Sequence, residues 1–214
     1  MSEETQTISN NQKNTDIKSI FLDNKKYIIA AILILLIVLF AYFFYVDYKK
    51  DLKVKISEKY NLAVIIYNQN NPSSSVSEMK SIINIKDPSY SPLALYFLLD
   101  NNLLNNKDEI NQYFDLLINE TNLDREVKNL IIYKKGLYNS DNASEEELLR
   151  IFKPLISSEN LWKSHSLYII AEYFFSKNEK QKSKEFFEKI LEMENSNPQI
   201  KIEAQKRLQR DFSV

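Results

Sequence analysis

The chain has 214 residues, with 28 Lys and Arg against 29 Asp and Glu, and it contains no Cys. The balanced charge, without basic stretches interleaved with aromatics, argues against a nucleic-acid partner. The missing Cys excludes disulfides, thiolate metal sites and thiol nucleophiles. Gly occurs once, at Gly136, so tight hairpin turns and phosphate-binding loops have little of the residue they require. The composition therefore predicts an all-α fold of helices joined by polar turns.

Residues 1–24 are polar and rich in Ser, Thr, Asn and Gln. They have too little apolar surface to offset the entropy lost on ordering. We predict a flexible N-terminal tail. The alternative is a short interfacial turn against lipid, formed by Ile17, Ile20, Phe21 and Leu22.

Residues 25–47 contain 20 consecutive positions, Tyr27 to Val46, without a charge, Pro or Gly. At about 1.5 Å per residue, this run matches a hydrocarbon core of roughly 30 Å. A cleavable signal peptide is the alternative, but its apolar region usually spans about 7–15 residues. We predict an uncleaved transmembrane helix. Lys residues flank it on both sides, so charge alone does not give its orientation.

Residues 48–86 are predicted to continue this helix and then to form a connector. No Pro or Gly interrupts the chain until Asn70-Asn71-Pro72, and Ser75 with Glu78 has the form of a capping box that opens a short helix. Four side chains of the continuing helix fall on one face: Leu52, Ile56, Ala63 and Tyr67.

Residues 87–214 show the pattern of successive amphipathic helices. Breaks at Asp87-Pro88 and Ser91-Pro92, and a capping box at Ser144, are typical of helix starts. Apolar residues at i, i+3, i+4 and i+7 form two clear stripes: Ile110, Tyr113, Phe114 and Leu117, and Leu167, Ile170, Ala171 and Phe174. No segment alternates with the period of a strand.

A repeat is visible within this region. Gly136 precedes Phe152 by 16 residues, and Ala171 precedes Phe187 by the same interval, which gives a period of 35. Tetratricopeptide repeats have a period of about 34. Two helices approach most closely where one side chain is small, and an aromatic from the second helix then fills the adjoining gap. In an earlier pair the aromatic would be Phe114, but the residue 16 positions before it is Leu98, which is not small. That repeat is therefore degenerate or packed differently. The interpretation is a tetratricopeptide-like α-solenoid of helical hairpins over residues 87–214; an irregular helical bundle is the alternative.

The order of parts resembles the YfgM-like ancillary subunits of the bacterial protein-translocation channel. The features that carry the resemblance are Pro154-Leu155, Leu161-Trp162-Lys163, Ala171 and a closing helix from Pro198 to Leu208. The chain departs from that family's pattern at Lys163, Ile169-Ile170 and Asn178-Glu179. The resemblance implies a single-pass protein of the bacterial inner membrane, with its N-terminus in the cytoplasm and its C-terminal domain in the periplasm. It also implies a role near the translocon or with chaperones of exported proteins.

We predict no catalytic, cofactor-binding or metal site, and no enzymatic activity. His165 is the single histidine, and neither a Gly-rich loop nor a nucleophile elbow is present. The acidic run Glu145-Glu146-Glu147 stands at a predicted helix start, where carboxylates are favoured by the helix dipole.

Tetratricopeptide geometry instead predicts a partner-binding groove on the first helix of the last pair. Its residues are His165, Tyr168, Glu172 and Phe175, one turn apart and away from the core stripe. Such side chains can hold an extended or helical peptide. The alternative is that Tyr168 and Phe175 pack on a neighbouring helix. Trp162 is interpreted as an anchor between repeats rather than as a ligand contact.

The sequence thus supports two hypotheses. The first is a membrane-anchored interaction protein that binds translocon subunits, chaperones or exported clients. The second is a structural scaffold or assembly factor, a homo-oligomer that self-associates through the face of Leu52, Ile56, Ala63 and Tyr67.

Overall fold

The structure, a computed structural model, describes residues 25–68 and 71–212. Within these ranges every regular element is an α-helix, which confirms the predicted all-α fold. The predicted tail of residues 1–24, with Ile17, Ile20, Phe21 and Leu22, lies outside the described residues, as does Asn70. The helices of the described ranges are α1 (Lys25–Asn68), α2 (Pro72–Ile85), α3 (Tyr90–Asp100), α4 (Lys107–Glu120), α5 (Arg125–Asn139), α6 (Glu145–Ile156), α7 (Lys163–Ser176), α8 (Lys180–Glu192) and α9 (Pro198–Asp211).

The chain divides into two units, Met1–Lys55 and Ile56–Val214, with the boundary inside α1. In the first unit the apolar side chains of α1 are exposed, and Phe44, for example, is 77% exposed. Among the described residues, α1 is the one helix long and apolar enough to cross a membrane. An apolar surface of this extent is a liability in water and suits hydrocarbon.

The second unit begins with the end of α1, whose inward face is part of the core. Ile56 and Ala63 are buried there, and Tyr67 packs edge-on against Phe97 at 5.3 Å between ring centroids. The self-association face predicted from Leu52, Ile56, Ala63 and Tyr67 is therefore wrong at Ile56 and Ala63, which pack against the chain's own helices and are not free to bind a second copy. Leu52 lies in the first unit and is 40% exposed.

Short polar side chains set the helix starts. The side chain of Asn71 accepts from Ser74 N, and Pro72 occupies the first turn of α2. The capping box predicted at Ser75 is wrong, because α2 has already begun at Pro72 and Ser75 faces inward. The start predicted at Ser144 is confirmed: Ser144 Oγ accepts from Glu147 N at 3.2 Å.

The core repeats one arrangement along the second unit. In each of four helix pairs, a residue of the first helix and the residue 16 positions later in the second helix are both buried: Ala63 and Met79, Leu98 and Phe114, Gly136 and Phe152, Ala171 and Phe187. Successive pairs are offset by 35, 38 and 35 residues. The predicted contact of Gly136 with Phe152 is confirmed, and Ala171 and Phe187 belong to one buried cluster. The Leu98 pair keeps the same register, and the Ala63 pair is one that the sequence analysis did not predict.

In the first pair and in the last pair, a buried serine of the second helix donates a hydrogen bond to the first helix. Ser75 Oγ donates to the carbonyl of Ala63, and Ser183 Oγ donates to the carbonyl of Ala171, each at 2.8 Å. In both cases the serine lies 12 positions after the small residue. The equivalent positions in the two middle pairs are Ile110 and Leu148, which are buried as well.

Neighbouring pairs also contact one another. Asn111 of α4 and the fully buried Asn139 of α5 exchange two amide hydrogen bonds, at 3.1 and 2.8 Å. Tyr173 of α7 donates its hydroxyl to the carbonyl of Ala143, at 3.2 Å. The first helices of the last two pairs pack on one another, α5 on α7, and the closing helix α9 also packs on α7. This packing places the starts of α5, α7 and α9 along one edge.

Candidate protein-interaction site

The four residues of the predicted groove, His165, Tyr168, Glu172 and Phe175, lie on α7, but the structure does not leave them equally open. Glu172 forms a bidentate pair with Arg207 of α9: Nε lies 2.6 Å from Oε1 and Nη2 lies 2.7 Å from Oε2. Arg207 is only 12% exposed at its side chain. The two parallel bonds match the geometry of a guanidinium and a carboxylate.

The same arginine covers Phe175. Its guanidinium lies 4.4 Å from the centroid of that ring, and Phe212 approaches the ring edge-on at 5.8 Å. Tyr168 packs against Phe187 at 5.4 Å. Burial raises the pKa of the Tyr168 hydroxyl, and the neighbouring Glu172 raises it further. The chain's own helices α8 and α9, with Phe212, therefore contact three of the four predicted groove residues.

His165 lies in different surroundings. Its ring is 5.4 Å from Trp162 and 5.9 Å from Tyr133, and Trp162 itself stacks on Tyr133 at 5.1 Å. Because Tyr133 belongs to α5 and Trp162 directly precedes α7, this stack joins consecutive helix pairs, as was predicted for Trp162. Burial lowers the pKa of the His165 imidazole, with the backbone of Leu161 acting in the opposite direction. The imidazole is therefore neutral near pH 7.

Beside this aromatic stack is an open recess of about 700 Å³, which we call the Trp162 recess. Three segments line it: the start of α5, the connection from α6 into α7, and the connection from α8 into α9. The lining residues are Arg125, Glu126, Glu159, Asn160, Leu161, Trp162, His165, Asn195, Ser196, Asn197 and Pro198. Its volume falls in the usual range of ligand pockets, about 300–1,000 Å³.

The recess gathers polar atoms that have no partner. Glu126 Oε2 and Ser196 Oγ are shielded from solvent and make no hydrogen bond. They are two of the five such side-chain atoms in the part of the chain that the structure describes, and a third in the recess, His165 Nδ1, has the backbone of Leu161 beside its ring. Buried polar groups in folded proteins are nearly always paired, and leaving one unpaired is unfavourable. The Glu126 side chain as a whole is 40% exposed, so its carboxylate can be approached from the recess.

The charges of the recess are two carboxylates and one guanidinium. Glu159 pairs with Lys163, and Glu126 Oε1 lies 3.4 Å from Arg125 Nε. Arg125 is 81% exposed, so this exposed contact is a weak one. Among the described residues no group of three or more His, Asp or Glu is placed to hold a metal ion.

Sequence reasoning identified His165 and Trp162 but missed Glu126 and Ser196. These two lie 70 positions apart in the chain, and only the packing of α5, α7 and α9 brings them together. The available signal was the pair Leu161-Trp162, an exposed leucine beside the chain's only tryptophan in a connection rich in Ser and Asn.

No protein-family model matches the chain, and neither a curated protein nor a solved structure matches it. The functional argument therefore depends on the geometry of these residues.

Proposed function

We propose that the chain is a membrane-anchored protein-interaction module of the bacterial cell envelope. In this proposal α1 crosses the inner membrane once, with the N-terminus in the cytoplasm, and the second unit is a tetratricopeptide-like α-solenoid in the periplasm. It binds translocon subunits, chaperones or exported client proteins, as the YfgM-like resemblance implies, and it performs no chemistry of its own.

The observation that carries the proposal is the fourfold recurrence of two buried positions 16 residues apart, with successive pairs offset by 35, 38 and 35 residues. Helix pairs that recur in this way stack through nearest-neighbour contacts and present a continuous surface along one side. The packing of α5 on α7 is the kind of contact between first helices that such stacking requires, and the closing helix α9 packs on α7 as well. Surfaces of this kind bind peptides and other proteins.

The membrane part of the proposal rests on the exposed apolar run of α1 and on the lysines around it. Lys25-Lys26 precede the run and Lys49-Lys50 follow it. Long basic side chains at both ends of a span can reach the headgroup region.

The alternative function is a scaffold that self-associates without binding clients. It is favoured by exposed apolar side chains on α1 other than those predicted, namely Val54, Leu62 and Ile65, each about half exposed. A charge placed at Leu62 would separate the two functions, because it would disrupt a dimer of the scaffold and leave client binding unchanged.

The first experiment is a compartment-sensitive reporter, active only outside the cytoplasm, fused after Val214. Activity supports the periplasmic domain. A stable but silent fusion refutes the YfgM-like arrangement.

The second experiment introduces a photo-crosslinking amino acid at Leu161, which is 70% exposed at the rim of the Trp162 recess. Glu188, exposed on α8 and outside that recess, is the matched control position. We expect partner crosslinks from Leu161 that exceed those from Glu188. Equal or absent crosslinking at both positions contradicts the interaction function.

A further inference from the structure

The Trp162 recess contains an acceptor without a donor. Glu126 Oε2 is shielded from solvent and has no hydrogen-bond partner, while Oε1 has only the exposed Arg125 beside it. An ionised carboxylate can accept hydrogen bonds and cannot donate them. Ser196 also lines the recess, and its unpaired hydroxyl can accept a second bond. What the recess lacks is therefore a group with N–H donors.

An anion fits the recess poorly, although three helices begin beside it and helix starts favour negative charge. The donors at the start of α9 are already in use, because Asn197 Oδ1 accepts from the backbone N–H groups of Gln199 and Ile200, at 3.0 and 3.2 Å. An anion would also meet the carboxylates of Glu126 and Glu159.

The aromatic groups also favour a cation. Trp162 lines the recess next to His165, and an indole ring attracts positive charge. Leu161 offers an exposed apolar contact at the same rim. A lysine or arginine side chain carries both matching parts, an apolar stem and a charged head with several donors.

We propose that the Trp162 recess binds a lysine or arginine side chain of an extended segment in a partner protein, with the Glu126 carboxylate as its charged partner. The assignment rests on the proposed interaction function and specifies the chemistry of its ligand. Ser196 Oγ accepts from the same basic head, and Leu161 packs on its stem or on the adjacent residue. A polypeptide is favoured over a small free cation because a recess of about 700 Å³ beside an exposed leucine has room for the neighbouring residues of a chain.

Trp162 provides the readout, because it is the only tryptophan in the protein. The full chain in detergent micelles is titrated with the blocked peptide Gly-Leu-Arg-Leu-Gly while Trp162 emission is recorded. The comparison peptide carries citrulline, which has nearly the shape of arginine without its charge. We expect a saturable change in emission and an affinity about tenfold weaker for the citrulline peptide, the size of effect that a charge-assisted hydrogen bond produces.

One variant inside the recess and one control outside it locate the interaction. Glu126→Gln keeps the shape of the side chain and is expected to weaken arginine-peptide binding about tenfold. Glu146→Gln removes one charge from an exposed position of α6 outside the recess, and it is expected to leave binding unchanged. Circular dichroism of both variants checks the fold, and Ser196→Ala, expected to weaken binding several-fold, provides an independent test if Glu126→Gln unfolds.

Equal affinity for the two peptides, or no saturable change in Trp162 emission, would overturn the assignment. Binding of spermidine as tight as that of the peptide would also overturn it, because the site would then recognise a free cation. The proposed function is tested separately in cells: if crosslinks from Leu161 persist in the Glu126→Gln variant, the interaction function stands and the recess assignment fails. If the unmodified chain gives no crosslinks at all, the function itself fails.

Discussion

Gly136→Ala tests the repeated core contact most directly. A Cβ atom at this position would lie 2.2, 2.4 and 2.7 Å from Cζ, Cε1 and Cε2 of Phe152. Carbon atoms pack at about 3.5–4.0 Å, so the ring must move by roughly 1 Å or more. Phe152 is fully buried, and overpacking of this kind costs about 1–3 kcal/mol.

The expected net effect combines two opposing contributions. Alanine is favoured over glycine inside a helix by about 1 kcal/mol. Because three ring atoms are affected, we place the overpacking at about 3 kcal/mol, the upper end of the usual range. The free energy of unfolding should therefore fall by about 2 kcal/mol. Urea unfolding of the full chain in detergent, followed by far-UV circular dichroism and by Trp162 emission, measures it.

A double-mutant cycle with Phe152→Leu identifies the cause. If the ring is the obstacle, adding Gly136→Ala to Phe152→Leu should be neutral or slightly stabilising, with a coupling energy of about 2 kcal/mol. Ala171→Gly, at the equivalent position of the next helix pair, is the matched control. It should destabilise by about 1 kcal/mol, because Phe187 already accommodates a methyl group there. A Gly136→Ala variant as stable as the parent, or more stable, would refute the reasoning.

Three further predictions concern the interfaces around this core. Arg207→Met should destabilise the fold by about 2 kcal/mol, less than the roughly 3–5 kcal/mol lost when a fully buried pair is broken, and it should speed hydrogen exchange in α9. Lys206→Met, on the exposed side of α9, should change neither quantity. Equal exchange rates in the two variants would contradict the role of Arg207. Asn139→Ala should destabilise by about 2 kcal/mol in urea unfolding because it leaves the Asn111 amide unpaired, and a loss below about 0.5 kcal/mol would show that water replaces the bond. Because burial lowers the pKa of His165, the unfolded state binds more protons below about pH 6.5, so stability should fall as the pH decreases from there toward the folded pKa. In the His165→Gln variant the urea midpoint should depend less on pH over this range. An unchanged pH dependence would show that other groups cause it.

The sequence was informative wherever one residue type had a single physical role. Only glycine permits the approach seen at Gly136, so its position identified the contact with Phe152. Asn and Ser side chains before a helix start accept hydrogen bonds from the free backbone N–H groups of the first turn. Ser144 could be identified as a cap for that reason. Ser75 could not, because a serine can equally donate to the carbonyl of a neighbouring helix, as it does to Ala63.

The remaining repeats were hidden because packing tolerates substitution when the volume is kept. Met79 fills the place that Phe114, Phe152 and Phe187 fill in the later pairs, and Leu98 stands where the others have a small residue. The Trp162 recess was hidden for a different reason. Its unpaired atoms become visible only when every possible partner has been placed in space.

The position of α9 decides which surface a partner can reach. A partner that used Tyr168, Glu172 and Phe175 would have to displace Arg207 and Phe212, and would lose the bidentate ion pair and the ring contacts that these residues make. Substitutions at Tyr168 or Phe175 would therefore alter the chain's own packing together with any binding. Substitutions at the Trp162 recess avoid this problem, because Glu126 makes only a weak, exposed contact with Arg125 in the chain itself. The recess is therefore the surface at which a loss of partner binding can be separated from a loss of fold.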